Sequence, residues 1–534
     1  MSHWIPANSI LPYIQTLGLL VTLCVIIRKL RAQPSPWAAL PRIPILGTLP
    51  YVTGPNFPLQ CSGWRRKYGQ IYSYKPGLAQ EILVVCGARL ARELFITNSQ
   101  SFQHRHCPFF YARELKLEDH FTPLLDSSPA IQTQRRLIYQ AIKASITRGK
   151  GAAVHRASLG LLQTLRSHAN DRRSPVLDLQ QVIADAVGLS ALSLSYGFDW
   201  TIKDLRACRE AAVLFAEVPK YFAFFNWINE PSVAFPFLTR LLGTRTQRIR
   251  ESATQAAQNL LESYQGLFAL TMEKVRNEGV GSLDDSVARI LLSDDDEDIP
   301  VYRQSILCGS AATAAFSTTA GTVHLLVGCL AAYPEWQTKL QSEVDRLAKT
   351  QDPLNSSNGL PGFVSDKDHE DACLTWAFID EALRYYPIFP INTRVANQDY
   401  TLHDGRTIKT GQILFTVPAA INRDPELYED PDTFDPTRFL NNDTGSAKLE
   451  KGMKLNWPKY RHVSFGSGRR SCPGSELAEY SVFVLLTQLV HCFEVKYEDD
   501  ASHAIGIRPE LVGLENHFSI PKIKFIPRRD LSHL

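Results

Sequence analysis

The first apolar stretch, Ile10 to Ile27, carries no charge and is interrupted only by Pro12 and the polar Gln15, Thr16 and Thr22; Arg28, Lys29 and Arg31 follow at once. Eighteen residues at about 1.5 Å each cover roughly 27 Å, enough to cross the hydrocarbon core of a bilayer. A secretory signal has its positive charge ahead of the apolar run and small residues at its end. Here the order is reversed, so the positive-inside rule puts the N-terminus outside and the body of the chain in the cytosol. The plainer alternative is a buried helix of a soluble domain. With this topology the sequons at Asn355 and Asn442 stay free of glycan. Pro34, Pro36, Pro41, Pro44 and Pro50 then predict a stiff, extended arm.

Beyond the arm, β-branched and aromatic residues predict strands at Ile71–Tyr74 and Glu81–Val85. From about Thr133 to Arg276 the apolar spacing is mostly helical, without repeats. Asp294–Asp298 is an acidic run that reads as a solvated loop. Pro300 suits a helix start, and Val301 to about Ala332 reads as one long helix. Pro334 opens the next helix, and another spans Ala372–Tyr386 and stops at Pro387. Short strands are expected at Asp399–Leu402 and Ile413–Val417. The fold class is therefore mainly α with a minor β portion. Its expected organisation is a membrane anchor at 1–31, a proline-rich linker at 32–50 and one large catalytic domain at 51–534.

The charge balance of 57 basic and 54 acidic residues, net +3, gives no reason to expect nucleic acid as a partner. The ten cysteines are scattered and form no CxxC pair, which argues against zinc and against a disulfide framework. They suit a reducing compartment, most of them as small buried hydrophobes.

One cysteine differs. Phe465-Gly-Ser-Gly-Arg-Arg-Ser-Cys472-Pro-Gly474 sets it behind two glycines able to take positive φ and to leave a flat face clear. Pro473 suits the first position of a helix, which predicts Cys472 at a helix N-terminus where its thiolate is stabilised. Leu477, Tyr480 and Val484 give that helix an apolar face. An inert cysteine in a glycine-rich turn is the alternative.

The pattern F-x-x-G-x-R-x-C-x-G resembles the haem-binding signature of the cytochrome P-450 family, in its microsomal, membrane-anchored form and with the tone of fungal biosynthetic members. The resemblance runs along nearly the whole chain. It implies haem b with Cys472 as the axial iron ligand, and Phe465 and Arg470 in the loop around it. Glu381 and Arg384 match the family's E-x-x-R pair, and Arg438 of Asp435-Pro-Thr-Arg-Phe439 completes a buried Arg–Glu–Arg brace. Arg135, Arg394 and Arg470 are the candidates for the haem propionates. The tryptophan usual four residues before the arginine matching Arg135 is Ile131 here. On the long helix, Ala314-Ala-Phe-Ser-Thr318-Thr319 occupies the place of the family's A/G-G-x-D/E-T-T. Thr318 then matches the threonine that helps deliver protons in oxygen activation, and Ser317 stands where an acid is usual. Ala314 and Ile391, with Tyr221–Phe225, are candidates for the substrate pocket.

The implied activity is a monooxygenase that inserts one oxygen atom of O₂ into a hydrophobic small molecule of specialised metabolism, a terpenoid, polyketide or alkaloid. The chain shows no dinucleotide fingerprint. Electrons are therefore expected from NADPH through a separate cytochrome P-450 reductase. Arg135, Arg136, Lys143, Lys454, Lys459 and Arg469 form a basic rim that could steer that partner or simply be solvated. The expected location is the endoplasmic reticulum membrane, single-pass, with the catalytic domain cytosolic and the anchor in lipid. Two other readings remain open: a reductase-independent haem-thiolate isomerase or dehydratase, which the serine at 317 favours, and a membrane-tethered haem sensor.

Overall fold

A computed structural model describes residues 35–43, 46–51, 57–77, 79–106, 128–149, 151–170, 178–198, 243–293, 299–350, 371–440, 462–499, 506–512 and 515–532. The anchor, Tyr221–Phe225, both sequons, Lys454 and Lys459 lie outside the described residues.

Ten helices of seven or more residues are described. They are α1 (Phe57–Tyr68), α2 (Pro129–Thr147), α3 (Ala152–Asn170), α4 (Leu179–Tyr196), α5 (Gly243–Glu278), α6 (Val287–Ser293), α7 (Val301–Ala332), α8 (Pro334–Thr350), α9 (Cys373–Tyr385) and α10 (Ser475–Cys492). The strands are β1 (Ile71–Tyr74), β2 (Ile82–Val85), β3 (Asn392–Val395), β4 (Tyr400–Thr401), β5 (Thr407–Ile408), β6 (Ile413–Thr416), β7 (Phe493–Tyr497), β8 (Arg508–Val512), β9 (Glu515–Ser519) and β10 (Ile523–Pro527). The architecture is mainly α with a minor β portion. The largest sheet has the order β1-β2-β6-β3, with β2 and β6 parallel and the other pairs antiparallel.

Helix α7 forms the centre. It starts behind Pro300 as expected and carries no acidic residue. Leu325, Leu326, Cys329 and Leu330 are almost wholly enclosed, as a helix that is apolar all round must be. Among the described residues it is the one helix long and apolar enough to span a membrane, and it is a core helix instead. Within the helix Ala314, Ala315, Phe316, Ser317 and Thr318 are only half-buried, between fully buried turns at 305–310 and 325–331. That partial exposure in mid-core marks a stretch bordering an internal space. Helix α10 is likewise buried on nearly every side from Tyr480 to Cys492, more completely than one apolar face predicts.

Some boundaries are tertiary in origin. Helix α9 begins without a capping side chain of its own. Instead the Glu343 carboxylate on α8 accepts the backbone N–H groups of Leu374 and Thr375 at 2.9 and 2.8 Å. A carboxylate at a helix N-terminus meets orphan donors and the positive end of the macrodipole. The hairpin β8–β9 is pinned to the segment after α9: Asn516 donates from its backbone to the Ile388 carbonyl at 2.7 Å and from its side chain to the Pro387 carbonyl at 2.8 Å.

Candidate active site

The cysteine loop closes on itself through backbone bonds. The Cys472 N–H donates to the Phe465 carbonyl at 2.8 Å, Gly466 N–H to Val463 at 2.9 Å, and Ser471 N–H to Gly468 at 3.1 Å. Gly466 and Gly468 take φ of 74° and 62°, conformations that L residues rarely adopt. Gly468 has a further reason to be glycine: a Cβ there would collide with the Phe95 carbonyl oxygen. Its constraint is close packing against protein rather than clearance for a flat ligand.

The helix behind the loop starts later than Pro473 predicts. Gly474 is the N-cap and Ser475 the first helical residue, so Cys472 precedes the helix by a turn. The Gly474 N–H serves the sulfur. Burial pushes the Cys472 thiol up, while that N–H, Arg135 and Arg105 pull it down toward thiolate. The residue is exposed by its own surface yet deep within protein, so it faces an internal space rather than bulk water. Cys308 and Cys329 are wholly enclosed, and burial pushes their thiols far up with no arginine to offset it.

Four guanidiniums form one electrostatic cluster, and two of them, Arg105 and Arg135, act on this sulfur. Arg394 on β3 and Arg470 are buried, and Arg105 and Arg135 are half-buried. Arg135 donates to the Ser471 carbonyl of the loop. Arg394 donates to the Thr393 carbonyl at 2.8 Å and lies 5.9 Å from the Phe95 ring centroid. Burial, then Arg470 and Arg135, hold Arg394 down to about 9. Burial, then Arg394, Arg470 and Arg135, hold Arg105 well below its ordinary value. Clustered buried like charges are tolerable when anionic charge sits among them. The donor set therefore suits a ligand with at least two negative charges beside a metal that accepts a soft thiolate, and haem with its two propionates has both. Sequence reasoning missed Arg105; the only signal was a basic triplet, His104-Arg105-His106.

The brace is a separate cluster. Glu381 and Arg384 are fully buried and pair twice, Nε to Oε2 at 2.6 Å and Nη2 to Oε1 at 2.8 Å. Arg438 donates to Glu381 Oε1 at 3.2 Å, as does the Asp435 backbone N–H at 2.6 Å. The remaining donors of both arginines reach carbonyls of Asn422, Glu429, Pro431 and Thr433 at 2.8 to 3.1 Å. Asn422, also missed, carries this cluster to the loop. Its side chain accepts the Val463 N–H at 3.0 Å and bonds Ser464 Oγ at 2.9 Å.

On α7, Thr318 Oγ1 donates to the Ala314 carbonyl at 2.8 Å. Ser317 Oγ donates to Glu515 Oε1 on β9 at 3.2 Å. Ala314 belongs to the half-buried stretch, whereas Ile391 is packed in the apolar cluster of the small sheet with Tyr74 and Phe415. Ile131 is buried on α2.

A family model described as cytochrome P-450 matches residues 38–520. The chain belongs to the cytochrome P-450 family. Among its relatives, a carnosic acid synthase of Salvia pomifera is 25% identical over 91% of this chain and 92% of its own length. Cytochrome P-450 monooxygenase 226 of Postia placenta is 25% identical over 88% and 84%. The cytochrome P-450 monooxygenase acuC of Aspergillus aculeatus is 24% identical over 89% and 87%. This P-450 is a haem-thiolate monooxygenase; membership implies haem on a cysteine thiolate, a redox partner, a hydrophobic substrate and O₂.

Proposed function

We propose that Cys472 would supply the thiolate ligand of haem b and that Arg105, Arg135, Arg394 and Arg470 would hold its propionates, in an enzyme that oxygenates a hydrophobic product of specialised metabolism such as a terpenoid, polyketide or alkaloid. A cluster of four arginines, two of which act on one cysteine, carries this reading. When bound, haem supplies one-electron and O₂ chemistry, with the thiolate favouring O–O cleavage.

The chain's own residues do the rest. Gly474 N–H, Arg135 and Arg105 oppose the effect of burial and favour negative charge on Cys472 Sγ. The Phe465 carbonyl fixes the loop through the Cys472 N–H. Glu381, Arg384 and Arg438 brace it through Asn422. Thr318 holds a proton at Oγ1 in the half-buried stretch of α7, and Ala314, Ala315 and Phe316 offer that space an apolar wall. Ile391 backs the small sheet beneath.

Electrons come from NADPH through the membrane-bound cytochrome P-450 reductase. Arg136, Lys143 and Arg469 support its docking because all three are exposed on the side of the cysteine loop and α2. The apolar run before residue 31 supports a location on the endoplasmic reticulum membrane, with 32–50 as the linker and the domain from residue 51 cytosolic.

The test is the reduced, carbon monoxide-bound spectrum of the purified full-length protein, followed by metabolite profiling of a host expressing it with a reductase. A thiolate-type spectrum that Cys472→Ala abolishes is expected. A nitrogen-ligated spectrum would overturn the assignment.

A further inference from the structure

The resemblance of the α7 stretch implies an acid at the position of Ser317, yet a carboxyl reaches the same place from another element. Glu515 opens β9, and its Oε1 lies 3.2 Å from Ser317 Oγ. Its position is fixed from the other side, because Asn516, the next residue, is tied to Pro387 and Ile388. Glu515 is half-buried by its own surface but enclosed by protein. Its carboxyl lies against the half-buried stretch 314–318 through the Ser317 hydrogen bond. We propose that Glu515 is the acid of this enzyme's proton relay, delivering through Ser317 to the oxygen-activating stretch of α7. The proposal rests on the oxygenase reading above.

The chemistry balances. Monooxygenation takes up O₂, two electrons and two protons per substrate oxidised and releases water; the redox partner supplies the electrons, so the chain must supply protons. A protonated Glu515 donates to Ser317 Oγ. As that proton arrives, Ser317 releases its own hydroxyl proton toward the interior and stays neutral. Glu515 is left as carboxylate with Ser317 donating to it, the arrangement seen here, until water returns the proton. A hydroxyl serves both directions at one distance because it donates and accepts.

Protonation at working pH is within reach. Burial raises the Glu515 carboxyl and the Ser317 hydrogen bond lowers it, leaving it pushed up to about 7. A relay acid works best near the operating pH. The other titratable or charged groups on the packed elements are His517 on β9, Arg508 and Glu510 on β8, and Tyr302, Arg303, Cys308, His324 and Cys329 on α7. Burial holds His324 down to about 4, so it is neutral when Glu515 titrates.

The test uses the full-length holoenzyme in lipid with its reductase. Infrared difference spectra should show a protonated carboxyl titrating near neutral pH. That band should vanish in Glu515→Gln and titrate higher in Ser317→Ala, which loses the hydrogen bond that lowers it. During NADPH oxidation, which needs no known substrate, Glu515→Gln should return several times more O₂ as peroxide. Water-forming turnover should fall roughly tenfold to a hundredfold, and Glu515→Asp should recover part of it. An unchanged peroxide share would overturn the proposal, including where Glu515→Gln instead weakens binding of a protonated amine probe and so marks a substrate anchor. If Glu515→Gln does not retain haem, Ser317→Ala carries the test: a band that does not move upward overturns the proposal. A wild-type protein lacking the thiolate-type carbon monoxide spectrum would fail the oxygenase reading instead, with the carboxyl titration still measurable.

Discussion

The two arginine clusters around the cysteine loop are built in opposite ways. In the brace, Arg384 and Arg438 alternate with the Glu381 carboxylate and a ring of backbone carbonyls. In the other cluster, the strongest electrostatic neighbours of Arg105 and Arg394 are further arginines. A buried cation answered by protein groups is finished architecture. A buried set whose members depress one another gains when an anion joins them, so the contrast sets a finished brace against a cluster suited to an anionic ligand.

The sharpest way to break the comparison is to remove Glu381. Glu381→Ala leaves Arg384 fully buried with its carboxylate gone and should cost about 3–5 kcal/mol. Urea unfolding and haem content should both show the loss, and Arg384→Ala should match it. Normal haem content in either variant would refute the brace.

A smaller effect is expected from the open cluster. Arg394→Met and Arg470→Met should fold normally, yet release haem faster. Each loses a charge-assisted bond worth about 1.5–3 kcal/mol, roughly a tenfold to hundredfold weaker hold. Haem transfer to apomyoglobin measures this directly. If Arg105→Met weakens retention as much as Arg394→Met, Arg105 belongs to the cradle; an unchanged rate removes it.

Smaller again is the link between the clusters. Asn422→Ala takes the acceptor of the Val463 N–H and one of the partners of the Ser464 hydroxyl, which keeps the Leu383 carbonyl, at a cost of about 1–2 kcal/mol. In a double-mutant cycle with Ser464→Ala the two losses should not add, because they share one bond. Strict additivity would mean that Asn422 does not join brace to loop.

These clusters also show what sequence could tell. Cys472, Glu381, Arg384 and Arg438 were legible because their spacing is local: a loop of ten residues, a pair three apart on a helix, an arginine just beyond a proline turn. The long helix α7 was legible because Pro300 and Pro334 punctuate it and no acidic residue interrupts it. The small sheet was half legible: β1, β2 and β6 carry β-branched and aromatic residues, whereas β3 reads Asn-Thr-Arg-Val and needs β6 to become a strand. What stayed hidden depends on contacts distant in sequence. Asn422 meets residues 41 and 42 positions away, Glu343 caps a helix 31 positions on, and Glu515 meets Ser317 across 198. A lone glutamate in a short hairpin carries no pattern by itself. Pro473 misled because it also starts turns, and here Pro473-Gly474 forms one ahead of α10.

The smallest effect has the most telling sign. Arg394 is a base whose folded value is depressed, to about 9, well below that of a free guanidinium. Between those values the unfolded chain binds more protons than the folded one, so in haem-free protein this group makes stability rise with pH through that window. Below about pH 9 its full destabilising contribution is present. Removing the charge should therefore leave haem-free protein at pH 7 as stable as wild type or more so, by on the order of 1 kcal/mol. The holoenzyme should be destabilised by the same substitution, because a propionate then answers the charge. Haem binding at pH 9 to 10 should accordingly take up protons in the wild type and fewer in Arg394→Met, as a pH indicator reports. A brace substitution cannot show this inversion: Arg384→Met must destabilise both forms, since its partner carboxylate belongs to the protein. If Arg394→Met also destabilised the haem-free protein by several kcal/mol, the second cluster would be structural like the first, and the distinction between them would be lost.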